Sequence, residues 1–266
     1  MLKIALIGYG TIAGYVADQL RDRSEVQITQ VLCRSGREDA ARQALGTAVI
    51  PVTDVQALSD DLSFVVDCAG HGALRQFGPD ILSRGLDLVT VSNGLLADQN
   101  MKDQLEASAR RAGSKLHLLS GAVGGMDALA AASAGGLTRV VYTGRKPVAG
   151  WRGTAAEDVV ALESLTEAAV HFEGTAREAA LRYPKNANVA ATIALAGIGL
   201  DQTEVKLIAD PGIQKNCHQV EAEGAFGRFT FTIEGEPLPK NDKSSALTAM
   251  SVVRFIEQRE APVQIG

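Results

Sequence analysis

Cysteine is scarce in this chain. Cys33, Cys68 and Cys217 are the three in 266 residues, and none forms a C-x-x-C pair. That excludes a disulfide scaffold or a cysteine-based zinc site and leaves the thiols as small buried hydrophobes, as suits a reducing cytoplasm. Histidine is nearly as scarce: His71, His117, His171 and His218 form no H-E-x-x-H or comparable metal pattern. No apolar run approaches the ~18 residues of a membrane span. A cationic excess is also missing. The 26 Lys and Arg against 31 Asp and Glu leave a net charge of −5, the wrong balance for a nucleic-acid binder. The N-terminus runs straight into an apolar strand pattern, so no signal peptide is expected, and the expected location is cytoplasmic. Internal repeats, low-complexity tracts and long linkers are absent from the sequence. What remains is a chain of 46% hydrophobic content, long enough for one large or two modest domains.

The most informative stretch that is present lies at the start, K-I-A-L-I-G-Y-G-T-I-A-G. An apolar run, Ile4 to Ile7, meets Gly8, Gly10 and Ala13 in G-x-G-x-x-A spacing, where a first strand turns into a first helix. Gly8 permits the tight turn, Gly10 lets backbone approach a pyrophosphate, and Ala13 lets the helix pack close to the sheet. The helix N-terminus then offers free N–H groups and a positive dipole end to phosphates. Gly8, Gly10, Thr11, Ile12 and Ala13 are therefore candidate cofactor contacts. The alternative is a plain tight turn.

Apolar runs recur at Ile28–Leu32, Phe64–Cys68, Leu86–Val91 and Leu116–Leu119, with helical stretches such as Thr11–Arg21 and Ala73–Arg84 between them. Strand–helix alternation of this kind predicts an α/β fold, a Rossmann-type doubly wound parallel sheet over residues 1–120. The character changes at S-G-A-V-G-G-M-D-A-L-A-A-A, a glycine-rich turn feeding a small-residue helix. Thr203–Ala209 and His218–Ile233 read as strands, with Phe229, Phe231 and Ile233 alternating with Thr230, Thr232 and Glu234. A second α+β domain with a largely antiparallel sheet is expected over 121–240. A C-terminal helical segment in 241–266, Ser244–Gln258, is expected to set Leu247, Met250, Val253 and Ile256 on one face and to return to the first domain.

The second strand ends V-L-C-R-S-G-R. The acidic residue that usually holds the ribose hydroxyls of NAD is missing. Arg34, Ser35 and Arg37 stand there instead, and such residues accept a 2′-phosphate that an acid would repel. The cofactor is read as NAD or NADP. The alternative for this loop is a solvated turn with the ribose held by backbone. Ala69, in D-C-A-G-H at the end of another parallel strand, is a further candidate cofactor contact, and His71 follows it.

The second half carries a family resemblance. S-G-A-V-G-G-M-D-A-L at 120–129, R-K-P at 145–147 with Trp151 nearby, F-E-G-T-A-R-E-A-A at 172–180 and Y-P-K-N-A-N-V-A-A-T at 183–192 all belong to it. So do A-D-P-G-I-Q-K-N-C-H at 209–218, E-G-A-F-G at 223–227 and N-D-K-S-S-A-L at 241–247. With G-Y-G-T-I-A at 8–13, these resemble the L-aspartate dehydrogenase family nearly end to end, a fold related to homoserine dehydrogenase and dihydrodipicolinate reductase. The resemblance implies NAD(P)-dependent oxidation of L-aspartate to iminoaspartate, which hydrolyses to oxaloacetate and ammonia or feeds pyridine nucleotide biosynthesis. It assigns the active-site role to His218 and nicotinamide-side contacts to Ala122 and Asn188. It also implies a homodimer. Two departures stand out: N-D-K-S-S where N-P-K-T-S is common, and Tyr183 where Phe is frequent.

Chemistry adds its own constraints. Hydride leaves an amine carbon only once the ammonium has lost a proton, and histidine titrates near neutrality. Read alone, a strand histidine such as His218 is more often a satisfied core or surface group than a proton-transfer group; the family motif around it reverses that reading. His71, His117 and His171 rank below it. Aspartate has two carboxylates, so its pocket needs cationic or N–H-rich anchors. Lys185, Lys243 and Ser244 lie in family motifs, and Asn216 stands beside His218; these are the substrate-binding candidates. Lysines otherwise solvate surfaces, and Asn188 would otherwise be a helix N-cap. Three rivals differ in what they require. A homoserine dehydrogenase would carry a longer substrate domain and its own signature, both missing here. A dihydrodipicolinate reductase would carry paired histidines and a K-x-D-x-P-S-G-T run, both missing here. A non-catalytic dinucleotide sensor would need none of the second-half motifs.

Overall fold

Short strands rich in Ile, Val and Leu form a six-stranded sheet in the computed structural model, which describes residues 1–184, 188–239 and 241–264 and, for 241–243, the backbone alone. In chain order the elements are β1 (Leu2–Ile7), α1 (Thr11–Leu20), β2 (Val26–Leu32), α2 (Glu38–Leu45) and β3 (Ile50–Val52). They continue with β4 (Phe64–Asp67), α3 (His71–Ser83), β5 (Leu88–Thr90), α4 (Gln99–Ala112) and β6 (Leu116–Leu118). Every pairing is parallel and the order is β3-β2-β1-β4-β5-β6. The order reverses at β1, which puts a crevice at the carboxyl ends of β1 and β4, the usual ligand position in such sheets. Ile4 to Ile7 and all of β4 are buried, as expected for strands covered on both faces. The α1 helix closes one face with Ala13, Val16 and Leu20. Burying a side chain such as Leu20 contributes about 1.5–3 kcal/mol.

The chain divides into two compact units, Met1–Leu119 with Thr248–Gly266, and Ser120–Leu247. The second unit runs α5 (Met126–Gly135), β7 (Leu137–Lys146), β8 (Ala169–Thr175), α6 (Ala176–Arg182), α7 (Asn188–Ala196) and β9 (Glu204–Ala209). The hairpin β10 (Asn216–Gly224) and β11 (Gly227–Gly235) follows, then β12 (Pro237–Leu238), β13 (Asn241–Ser245) and α8 (Ala246–Glu260), which continues into the first unit. Its five-stranded sheet has the order β11-β10-β7-β9-β8, with β7–β9 parallel and the other pairs antiparallel.

Several elements differ from the sequence reading. The stretch 218–233 is two strands, longer than expected at both ends and folded back at Ala225–Phe226. The strand β7, central to its sheet, has no clean apolar alternation, because Arg139, Gly144 and Arg145 interrupt it. Ser244 lies in β13, paired with β12, so the last helix begins at Ala246. The buried face of α8 is Ala249, Val252 and Ile256, while Met250 is exposed. Val252 and Ile256 join the core of the first sheet, with Val253 packed against it.

Candidate active site

In the first unit a cleft of 660 Å³ lies at the ends of β1, β2 and β4, lined by Gly8, Gly10, Arg34, Arg37, Ala69 and Phe77 among others. Gly8 is a requirement of this geometry. Its φ is +81°, and a Cβ there would lie 2.7 Å from the Cβ of Ala69. Gly10 is the N-cap of α1 and no side chain caps that end. The first N–H groups of the helix are thus left for another acceptor. Arg34 and Arg37 are exposed at the rim of β2.

Asp67 braces the 69–70 turn without lining the cleft itself. It is fully buried at the end of β4. Its Oδ1 accepts from the N–H groups of Ala69 (2.9 Å) and Gly70 (3.1 Å), and its Oδ2 accepts from Thr90 Oγ1 (2.8 Å) and Ser92 Oγ (2.7 Å). Burial pushes its carboxyl above the ordinary value, against the pull of those donors. The two backbone bonds hold the 69–70 turn against Gly8. Sequence reasoning does not reach Asp67, though an acid closing an apolar strand before A-G was its available signal.

The second unit places His218 near the start of β10, directly opposite Gly144 of β7. It is 3% exposed. Tyr142, fully buried two residues before Gly144, meets His218 Nδ1 with its hydroxyl at 2.8 Å, and the rings stack at 21°. A Cβ on Gly144 would lie 2.6 Å from that hydroxyl, so glycine keeps the space open. Burial, with the nearby positive charge of Lys146, pushes the His218 imidazole down to about 4. Burial raises the Tyr142 phenol well above its ordinary value.

Lys146 ends β7 on the same face as Tyr142 and Gly144, by strand alternation. Its Nζ lies 5.0 Å from the centroid of the Trp151 ring. Trp151 is fully buried and fixed by donation from Nε1 to the Ile208 carbonyl (3.0 Å). Burial brings the Lys146 ammonium down to about 8. Beyond Trp151 stands His171, its ring 4.2 Å away and its Nδ1 3.1 Å from the Tyr183 hydroxyl. Burial first, then Arg182 and Lys146, push His171 down to about 4. Lys146 sits inside the R-K-P run, yet nothing in the sequence marks it against other lysines; Tyr142 carries no sequence signal.

The remaining sequence candidates fall as follows. Gly8, Gly10, Arg34 and Ala69 share the first-unit cleft, whereas Ser35 is exposed and does not line it. Thr11 and Ile12 are in the first turn of α1, and Ala13 faces the core. Ala122 lies in the turn before α5, where Gly124 is packed so close to Phe231 that a Cβ would meet its ring at 2.8 Å. Asn188 opens α7, and its carbonyl accepts from Thr192 Oγ1. Asn216 shares the His218 face of β10, and Ser244 is partly buried in β13. Lys185 lies outside the described residues, as does the side chain of Lys243. His117 is taken up structurally, bonded to Asp87 (3.0 Å) and packed on Phe255. Among the described residues no cluster of His, Cys, Asp and Glu is arranged to hold a metal, and no helix is long and apolar enough to cross a membrane.

Comparison with known proteins follows the same division. Residues 127–259 match the family model for the C-terminal region of aspartate dehydrogenase, and residues 8–119 match that for the homoserine dehydrogenase NAD binding domain. The chain is similar to the L-aspartate dehydrogenase of Ruegeria pomeroyi, 54% identical over 263 residues, 99% of this chain and 94% of the relative. It is 50% identical to that of Cupriavidus necator over 100% of both chains. The aspartate dehydrogenase structure from Thermotoga maritima shares the fold at a TM-score of 0.76, with 24% identity and 100% of both chains covered. The match of the whole second half to one family model, and of the full length to such relatives, places the chain in the L-aspartate dehydrogenase family.

Proposed function

We propose that this enzyme oxidises L-aspartate to iminoaspartate with NAD or NADP, the imine then hydrolysing to oxaloacetate and ammonia. The observation that carries this reading is full-length identity of 54% and 50% to proteins named L-aspartate dehydrogenase. The first unit suits a dinucleotide. The cradle at Gly8 has no room for a Cβ, the N-terminus of α1 is uncapped, and the cleft is rimmed by Arg34 and Arg37 with no acid between them. Gly8, Gly10 and the first turn of α1 would hold the phosphates, and the two arginines favour acceptance of a 2′-phosphate. When bound, the nicotinamide supplies a hydride acceptor.

The chain's own residues have other tasks. The substrate's ammonium must lose a proton, and its two carboxylates must be paired. We place His218 against the substrate, with Asn216 beside it. Ala122 and Asn188 are proposed on the nicotinamide side, and Lys185, Lys243 and Ser244 as substrate anchors, on the motifs that hold them. A homodimer accords with β11, which ends its sheet. A cytoplasmic location and a supply of iminoaspartate to pyridine nucleotide synthesis belong to the same reading.

Initial rates with a panel of amino acids, each with NAD and with NADP, test the activity. Aspartate should exceed alanine by roughly 30- to 1,000-fold, since alanine leaves a buried cation unpaired. Equal rates for the two would end the aspartate reading.

A further inference from the structure

The hydroxyl of Tyr142 decides which way the Tyr142–His218 hydrogen bond runs. The phenol stays protonated, because burial raises its pKa. Its oxygen is fully buried, and His218 Nδ1 is its partner among the described residues. A buried O–H without an acceptor costs about 1–3 kcal/mol. Tyr142 therefore donates, and Nδ1 of His218 accepts. A neutral imidazole that accepts at Nδ1 carries its hydrogen on Nε2. In that tautomer neither nitrogen is free to take a proton: Nδ1 is engaged and Nε2 is a donor. Protonating Nδ1 would reverse the bond and leave the phenol hydrogen unpaired. His218 as held here is thus suited to donate to a carboxylate and unsuited to deprotonate an ammonium.

A second nitrogen group stands on the same face. Lys146 is two residues along β7 from Gly144, the residue opposite His218, and so about 7 Å further along the strand. Its Nζ is placed against the fixed indole of Trp151. Among the described residues, titratable and charged groups around it include His218 from β10, His171 from β8 with Arg182 beyond, and the Arg145–Asp210 ion pair next to it. Both histidines resist protonation, so neither adds a full positive charge beside Nζ.

Resting on the aspartate dehydrogenase reading, we propose that Lys146 accepts the proton of the substrate's ammonium, while Tyr142 is a positioning residue that keeps His218 a hydrogen-bond donor to the substrate. The α-ammonium passes H⁺ to neutral Nζ, which becomes the lysine ammonium. The α C–H electron pair then leaves with its hydrogen as hydride to the oxidised dinucleotide, and the nitrogen lone pair forms the C=N bond. Lysine charged near neutrality at about 8 is matched to this exchange.

Two measurements test the proposal. The first needs no activity: nitrogen-15 NMR of the histidine rings in the ligand-free protein, with His218 assigned by the signal lost in His218→Gln. The expected result is Nε2–H for His218 in the wild type, and a mixed tautomer that titrates at higher pH in Tyr142→Phe. A wild-type His218 carrying its hydrogen on Nδ1 would overturn the positioning role. The second is kinetic. Wild-type kcat/KM for aspartate should rise with pH through a limb near 8. Lys146→Arg keeps a cation but loses the base, so KM should stay within about threefold while kcat falls about 100-fold or more and the limb disappears. Added methylamine should restore turnover to Lys146→Ala, which also shows that this variant is folded. Lys146→Arg with near-normal kcat and the limb intact would overturn the base assignment. So would Lys146→Ala with a raised KM, a normal kcat and no amine rescue, the pattern of a carboxylate anchor. A wild type without aspartate activity would defeat the function reading alone, since the NMR result stands apart from it.

Discussion

Gly8 and His218 each meet a neighbour at close range, for opposite reasons. At Gly8 the chain lacks a side chain, because a Cβ would come within 2.7 Å of Ala69. At His218 the side chain is present, buried, and held by a phenol 2.8 Å away. The first unit makes its candidate site from backbone, with one carboxylate, Asp67, tying down the facing turn. The second makes its site from side chains in strand register, with glycine used at 144 to clear space between two rings. A backbone site recognises what every dinucleotide shares. A site of buried, pKa-shifted side chains is where a particular chemistry is set.

That contrast can be broken most sharply at His218. His218→Ala should lower kcat about 100-fold or more, in the range for loss of a substrate-facing donor or acid–base group, with dinucleotide affinity unchanged. Steady-state rates and a dinucleotide titration measure both; if both collapse together, the functions are not divided between the units as proposed.

Acid should damage the second unit next. His218 and His171 are lowered from 6.5 to about 4, so between those values the unfolded chain binds protons that the folded chain refuses. Stability from these groups is complete above pH about 6.5 and falls as pH drops toward 4, by about 2 kcal/mol each at pH 5. Urea unfolding at pH 7 and pH 5 measures the loss, and a pH-independent midpoint would show that the two rings are not held neutral.

Gly8→Ala probes the first unit. A side chain at φ +81° against Ala69 should cost about 1–3 kcal/mol, read as weaker dinucleotide binding and a lower melting temperature. Aspartate-side pH dependence should be untouched. The smallest effect is expected at the rim: Arg34→Ala and Arg37→Ala should each weaken NADP relative to NAD by about 1 kcal/mol, roughly fivefold. Equal losses for both cofactors would show that neither arginine reads the 2′ position.

The parallel sheet was legible because its central strands, β1, β4 and β5, are buried and read as apolar runs between glycines. The same logic exposed Gly8 and Gly10, whose spacing encodes a local turn. The elements missed were those whose pattern depends on partners. Strand β7 carries Arg139 and Arg145, which are satisfied by Glu204 and Asp210 from a distant strand and a distant loop. Ser244 reads as a helix start because β12, the two-residue strand just before it that β13 pairs with, is too short to show a strand pattern. On α8 the expected Ile256 is buried and Val253 packs against the core, but Ala249 and Val252 take the places where Leu247 and Met250 look more apolar.

By itself, then, the sequence determined the class of the first unit, the glycine turn and the family to which the chain belongs, because those rest on local spacing and on motifs read in order. The tertiary structure alone decided that Tyr142 faces His218, that Lys146 stands over Trp151 and that Asp67 braces the turn at Ala69. Those pairs are 76, 5 and 2 residues apart in the chain. Even the nearest depends on which face a strand buries and where its end is held, and this is fixed by register across the sheet.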